Sequence, residues 1–70
     1  MKLIDARGRS CPEPVILTKK TLEKDGAPFE VLVDNHAAVD NISRFANSRK
    51  LKITVTSEGE DFRLHLEGKA

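Results

Sequence analysis

Seventy residues with 12 Lys plus Arg against 11 Asp plus Glu, a net charge of +1, leave room for one small domain. A chain of this size buries only about 60% of the surface its unfolded form exposes, so a deep internal active site is not expected. Nor is there a strong net field to concentrate nucleic acid or anionic membrane, and the chain has no Trp or Tyr for base stacking. The single cysteine cannot form an intramolecular disulfide, and two histidines without Cys or His neighbours at ligand spacing argue against structural zinc. No apolar run is long enough for a signal peptide or a membrane span. These features predict a protein of the reducing cytoplasm, folded as a single domain over residues 1–70, with no cofactor and no metal.

In chain order the pattern reads strand, helix, strand, helix, strand, strand. Lys2 to Asp5 is a short strand, and Ala6 to Ser10, containing Gly8, is a loop. The first helix is expected from Pro12 to Lys24 and ends before Asp25-Gly26, where glycine takes a left-handed cap. Val15, Ile16, Lys19 and Leu22 fall on its inward stripe. Phe29 to Val33 is rich in β-formers and apolar at consecutive positions, as in an interior strand. Asp34 and Asn35 are candidate N-caps for a second helix from His36 to Ser48, whose inward stripe is Val39, Ile42, Phe45 and Ala46. Leu51, Ile53 and Val55 alternate with polar residues, and so do Phe62, Leu64 and Leu66, the period of strands with one wet face. Ser57-Glu58-Gly59-Glu60 joins them as a hairpin. Two helices cover one face of such a sheet and leave the other to water. The expected fold is an α/β (α+β) two-layer βαβαββ sandwich with a four-stranded mixed sheet.

Ser10-Cys11-Pro12-Glu13-Pro14 carries the candidate chemistry. Proline is favoured in a first helical turn, and a residue before proline is pushed away from helical dihedrals. Cys11 is therefore expected as the N-cap, the alternative being a capping box between Ser10 and Glu13. Either arrangement puts the sulfur at a helix N-terminus, where unpaired N–H groups and the dipole favour thiolate. Two effects oppose this: Pro12 and Pro14 remove amide donors, and Glu13 adds a like charge. The bland alternative, a small buried hydrophobe, sits poorly with the polar loop before Cys11 and the proline after it. A thioredoxin-like site requires C-x-x-C, and a cysteine hydrolase requires a histidine with an orienting group. His36 and His65 read as surface residues, and Asn41 as a structural residue hydrogen-bonded to a neighbouring loop, the alternative being a solvent-facing side chain. Arg7, Gly8, Arg9, Lys19 and Lys20 form a candidate partner-binding rim around the loop, the bland alternative being solvated surface charge.

Asp5-Ala6-Arg7-Gly8 followed by Cys11-Pro12-Glu13-Pro14 resembles the Asp-x-x-Gly-x-x-Cys-Pro-x-Pro signature of the TusA-like (SirA, YedF) family of small sulfur carriers. The likeness continues through Lys19-Lys20, Val33-Asp34-Asn35 and Asn41 to Ala46, and it leans toward the YedF branch, which is associated with selenium metabolism. The resemblance implies a βαβαββ sandwich in which Cys11 accepts sulfane sulfur as a persulfide and relays it, a sulfurtransferase-like carrier rather than a turnover enzyme. The donor would be of cysteine desulfurase or rhodanese type and the acceptor of DsrE-like type. Pro12, Glu13 and Pro14 would shape the first turn. Arg9 departs from the family pattern, where an apolar residue is more usual. The competing readings are a selenium carrier and a protein-binding or regulatory module whose thiol is incidental.

Overall fold

Phe29, Val31 and Val33 are fully buried while Glu30 and Leu32 between them are half-buried, so the second strand lies in the middle of a sheet with one face covered. The computed structural model describes residues 2–10 and 12–68; the expectation that Cys11 is an N-cap therefore lies outside the described residues. The elements are β1 (Lys2–Asp5), α1 (Glu13–Lys24), β2 (Phe29–Val33), α2 (His36–Ser48), β3 (Lys52–Glu58) and β4 (Asp61–Glu67). The sheet order is β1-β2-β4-β3, with β1 parallel to β2 and the remaining pairs antiparallel. This is the expected mixed four-stranded α/β arrangement. The hairpin is tighter than the four residues foreseen, since Glu58 pairs with Asp61 across Gly59-Glu60.

The core is built by Phe29, Val31 and Val33 of β2, Leu64 and Leu66 of β4, and Ala38, Ile42 and Ala46 of α2. Asn35, in extended conformation, caps α2 by accepting the Ala38 N–H at 2.8 Å, which ties one of the helix's unpaired donors. Val39 packs on the core while only partly buried, and Phe45, also partly buried, carries Arg49 over its ring, so the inward stripe runs 38, 42, 46 and not through all four residues predicted.

Helix α1 departs further from expectation. Its first helical residue is Glu13, Pro12 stands in the capping position, and no side chain caps it. The capping box does not form: the Glu13 N–H donates to the Ser10 carbonyl at 2.9 Å, while the Glu13 carboxylate turns to Arg9 at 2.8 Å. Pro14, Thr18 and Thr21 are its buried residues, whereas Ile16 is 43% exposed and Lys19 is exposed. Threonine is accepted inside because the Thr18 hydroxyl donates to the Pro14 carbonyl of its own helix at 2.8 Å, so its methyl group packs with no polar atom stranded. Helix α1 packs chiefly on α2. At its end Gly26, at φ +74°, donates to the Leu22 carbonyl at 3.0 Å, the left-handed stop anticipated.

The uncovered face carries charge in register. Glu30 lies opposite His65 and accepts from Arg63 at 2.9 Å, while Arg63 also donates to Glu58 at 2.7 Å. These bonds hold both carboxylates below their ordinary pKa values, Arg63 being the leading cause in each case. No helix among the described residues is long and apolar enough to cross a membrane.

Candidate functional site

The loop from β1 to α1 is pinned before it reaches Cys11. Ala6 is buried and its N–H donates to the Leu32 carbonyl at 2.8 Å, which prolongs the parallel pairing by one residue. Arg7 then folds back. Its backbone N–H and Nε both reach Asp5 Oδ1, at 3.1 and 3.0 Å, and Nη2 reaches Asp5 Oδ2 at 2.8 Å. Its remaining arm, Nη1, reaches Asp61 at the start of β4 at 3.1 Å. A planar guanidinium matched to a carboxylate in this forked manner is the strong form of such a contact. The hydrogen bonds from Arg7, side chain first and backbone second, hold the Asp5 carboxyl at about 2, and those from Asp5 and Asp61 hold Arg7 above its ordinary value.

Gly8 provides the second tie. It takes φ +75° and donates its N–H to Asp34 at 2.8 Å. Open space surrounds the position where a Cβ would stand, so glycine is needed there for its left-handed backbone and not for room. Asp34 also accepts from the Asn35 side chain at 2.9 Å, and that bond, ahead of the Gly8 N–H, lowers its pKa. The cap foreseen at either Asp34 or Asn35 is thus divided: Asn35 caps the helix and Asp34 holds the loop.

Beyond Gly8 the chain borders a cavity of about 270 Å³. Arg9, Ser10, Pro14 and Val15 line one side, and Asn35, Ala37, Ala38 and Asn41 of the α2 segment line the other. The wall therefore includes residues on both sides of Cys11 in the chain. Neither histidine belongs to it. His36 opens α2 and rests on Phe62, ring centroids 4.7 Å apart, while His65 lies on the open face with Nδ1 3.2 Å from Glu30.

The five cations and turn residues of the candidate rim divide by role. Arg7 and Gly8 are engaged inside the molecule, as described. Arg9 forms a half-exposed pair with Glu13, of the kind that water and salt weaken. Lys19 and Lys20 are exposed, one turn beyond Val15 and the exposed Ile16 respectively. One of the two amide donors that Pro12 and Pro14 leave in the first turn, that of Glu13, is taken by Ser10. Sequence reasoning missed Asp61 as the second partner of Arg7, and Ala37 and Ala38 as cavity wall; neither residue type signals such a role.

A family model described as sulfurtransferase TusA matches residues 2–68. The chain belongs to that family. A protein of Methanocaldococcus jannaschii, named as a proposed sulfur carrier, is 40% identical over 62 residues, covering 86% of this chain and 83% of its own. The crystal structure of a SirA-like protein from Desulfitobacterium hafniense superposes with a TM-score of 0.90 at 28% identity, over 100% of both chains. The TusA family context is one of sulfur handling together with partner proteins.

Proposed function

We propose that this chain is a sulfur carrier, working as a single TusA-like domain in the cytoplasm, in which Cys11 holds sulfane sulfur as a persulfide between two partner proteins. The thiolate of Cys11 attacks the terminal sulfur of a donor persulfide; a new S–S bond forms at Cys11, the donor's S–S bond breaks, and the donor leaves as thiolate. An acceptor thiolate reverses the step, so no outside oxidant or reductant is required. The observation that supports this reading is the loop of Arg7 and Gly8, clasped by three carboxylates and leading to a cavity lined by residues that precede and follow Cys11 in the chain. That wall offers no histidine to act as a hydrolase base. Pro12, Glu13 and Pro14 shape the first turn, Arg7 and Gly8 hold the loop, and Arg9, Lys19 and Lys20 with Ile16 make the docking rim. The donor is of cysteine desulfurase or rhodanese type and the acceptor of DsrE-like type.

Mass spectrometry after incubation with a cysteine desulfurase and cysteine tests the reading. One added sulfur atom is expected on the wild-type chain and none on Cys11→Ser. No adduct from either a desulfurase or a rhodanese charged with thiosulfate, or equal loading of Cys11→Ser, would overturn it. A cysteine desulfurase supplied with selenocysteine, which charges it with a selenopersulfide, run in parallel separates a YedF-like selenium carrier, which would load selenium in preference to sulfur.

A further inference from the structure

Of the two sheet edges, β1 is four residues long and β3 is seven. Exposed edges are ordinarily blunted by shortness, proline, bulges or inward charges. β3, Lys-Ile-Thr-Val-Thr-Ser-Glu, has no proline or glycine, and four β-branched residues, Ile53 to Val55 and Thr56, fill its centre. Burial fades along the helix-facing side of this edge, from Leu51 at 7% to Val55 at 43% exposed.

We propose that β3 is a self-pairing edge, along which a second copy of this chain joins antiparallel about Val55 to make one continuous eight-stranded sheet. The inference does not depend on the sulfur chemistry. The two-residue turn Gly59-Glu60 closes on the Glu58–Asp61 pair, and a turn of that length closes on residues that exchange both backbone hydrogen bonds. Alternation along the ladder then directs the backbone of Lys52, Thr54, Thr56 and Glu58 to β4. The N–H and C=O groups of Ile53, Val55 and Ser57 are left pointing outward. A two-fold copy centred on Val55 sets Val55 against Val55 and Ile53 against Ser57, so every outward group on both copies finds a partner.

The side chains agree with the same register. On the open face Lys52 comes opposite Glu58 of the second copy, at both ends of the seam, and Thr54 comes opposite Thr56. On the helix side the two Val55 side chains cover one another. A shift of one residue would misalign all the outward groups, and a shift of two would part Lys52 from Glu58 and leave the nearest opposite charges, Glu60 or Lys50, outside the strand. Because β1 is the far edge, the two β1 strands would lie seven strand spacings apart, about 34 Å, and the seam leaves both clear.

Sedimentation equilibrium of the full chain from micromolar to millimolar concentration should show the mass rising from one chain to two. Amide exchange at Ile53, Val55 and Ser57 should slow with concentration, while Thr54 and Thr56, already bonded to β4, stay constant. Val55→Lys places two ammonium groups at the axis and should weaken association about tenfold or more. Lys52→Glu should weaken it less, with partial recovery in high salt. A single-chain mass throughout, or protection without the alternation, would overturn the proposal, as would unchanged association in a folded Val55→Lys. Should that variant not fold, the wild-type exchange pattern decides alone.

Discussion

The two helices are finished at opposite ends. Helix α2 begins with a made-to-measure cap, Asn35 accepting the Ala38 N–H, but ends on Lys50 at φ +58°, a left-handed conformation that suits glycine. Helix α1 ends on Gly26 at φ +74° but begins with Pro12 in the capping position and no side-chain cap. Their inner faces differ in the same sense. Ile42 fills the core from α2, whereas α1 offers Pro14 and two threonines. The helix that anchors the fold is capped where it meets the loop, and the helix that follows Cys11 in the chain has Pro12 and Pro14 at its start and no side-chain cap. At the start of α1 the Glu13 N–H is held by the Ser10 carbonyl, a backbone bond that uses no side chain.

The sharpest way to break this comparison is in the core. Ile42→Ala is expected to destabilise by about 2–5 kcal/mol and the half-buried Leu17→Ala by about 1–2 kcal/mol, read from urea unfolding; equal losses would show α1 to be as firmly seated as α2. The caps come next. Asn35→Ala should lose about 1 kcal/mol, and Ser10→Ala should stay within about 0.5 kcal/mol, because no side chain caps α1. At the helix ends, Lys50→Gly should gain about 0.5 kcal/mol in thermal unfolding, since the bonds of that turn, Leu51 N–H to Ala46 at 2.9 Å among them, need only backbone.

The smallest effect on stability is expected from acid. The folded pKa of Asp5 is depressed, so its contribution is complete above the ordinary value of 3.8 and is lost as pH falls through about 2. The Arg7 Nε–H signal in NMR should therefore hold through mildly acidic pH and move only below 3.8. A midpoint at the ordinary carboxylate value would mean that the clasp is not formed in solution. High salt should weaken the same clasp, because its groups are half-exposed.

Much of the fold could be read from local chemistry. The strand from Lys52 to Glu58, the Asp25-Gly26 stop and the Asn35 cap each depend on neighbours in the chain, and each appears in the structure, although the apolar positions of that strand are not all covered, Val55 being 43% exposed. Periodicity failed on α1 because it sorts residues by polarity. Thr18 counts as polar, yet its hydroxyl is satisfied by Pro14 and the side chain is fully buried; Ile16 counts as core and is exposed. The site divides in the same way. The Cys-Pro-Glu-Pro turn is a local motif and draws the eye, whereas Arg7 meets Asp61 across 54 positions and Gly8 meets Asp34 across 26. No local pattern marks those partners, because any of the chain's 11 acidic residues would satisfy an arginine equally well on paper.

The clasp at Arg7 also has an order in time built into it. Its two carboxylates come from the end of β1 and the first residue of β4, the neighbouring Gly8 N–H is held by Asp34 just after β2, and β4 is the last strand in chain order. Contacts of such long sequence separation form only once the intervening chain has closed. A chain emerging from synthesis, or one whose final strand has frayed, would therefore carry the cysteine but not the fully clasped loop that leads to it, so loop order reports that assembly is finished.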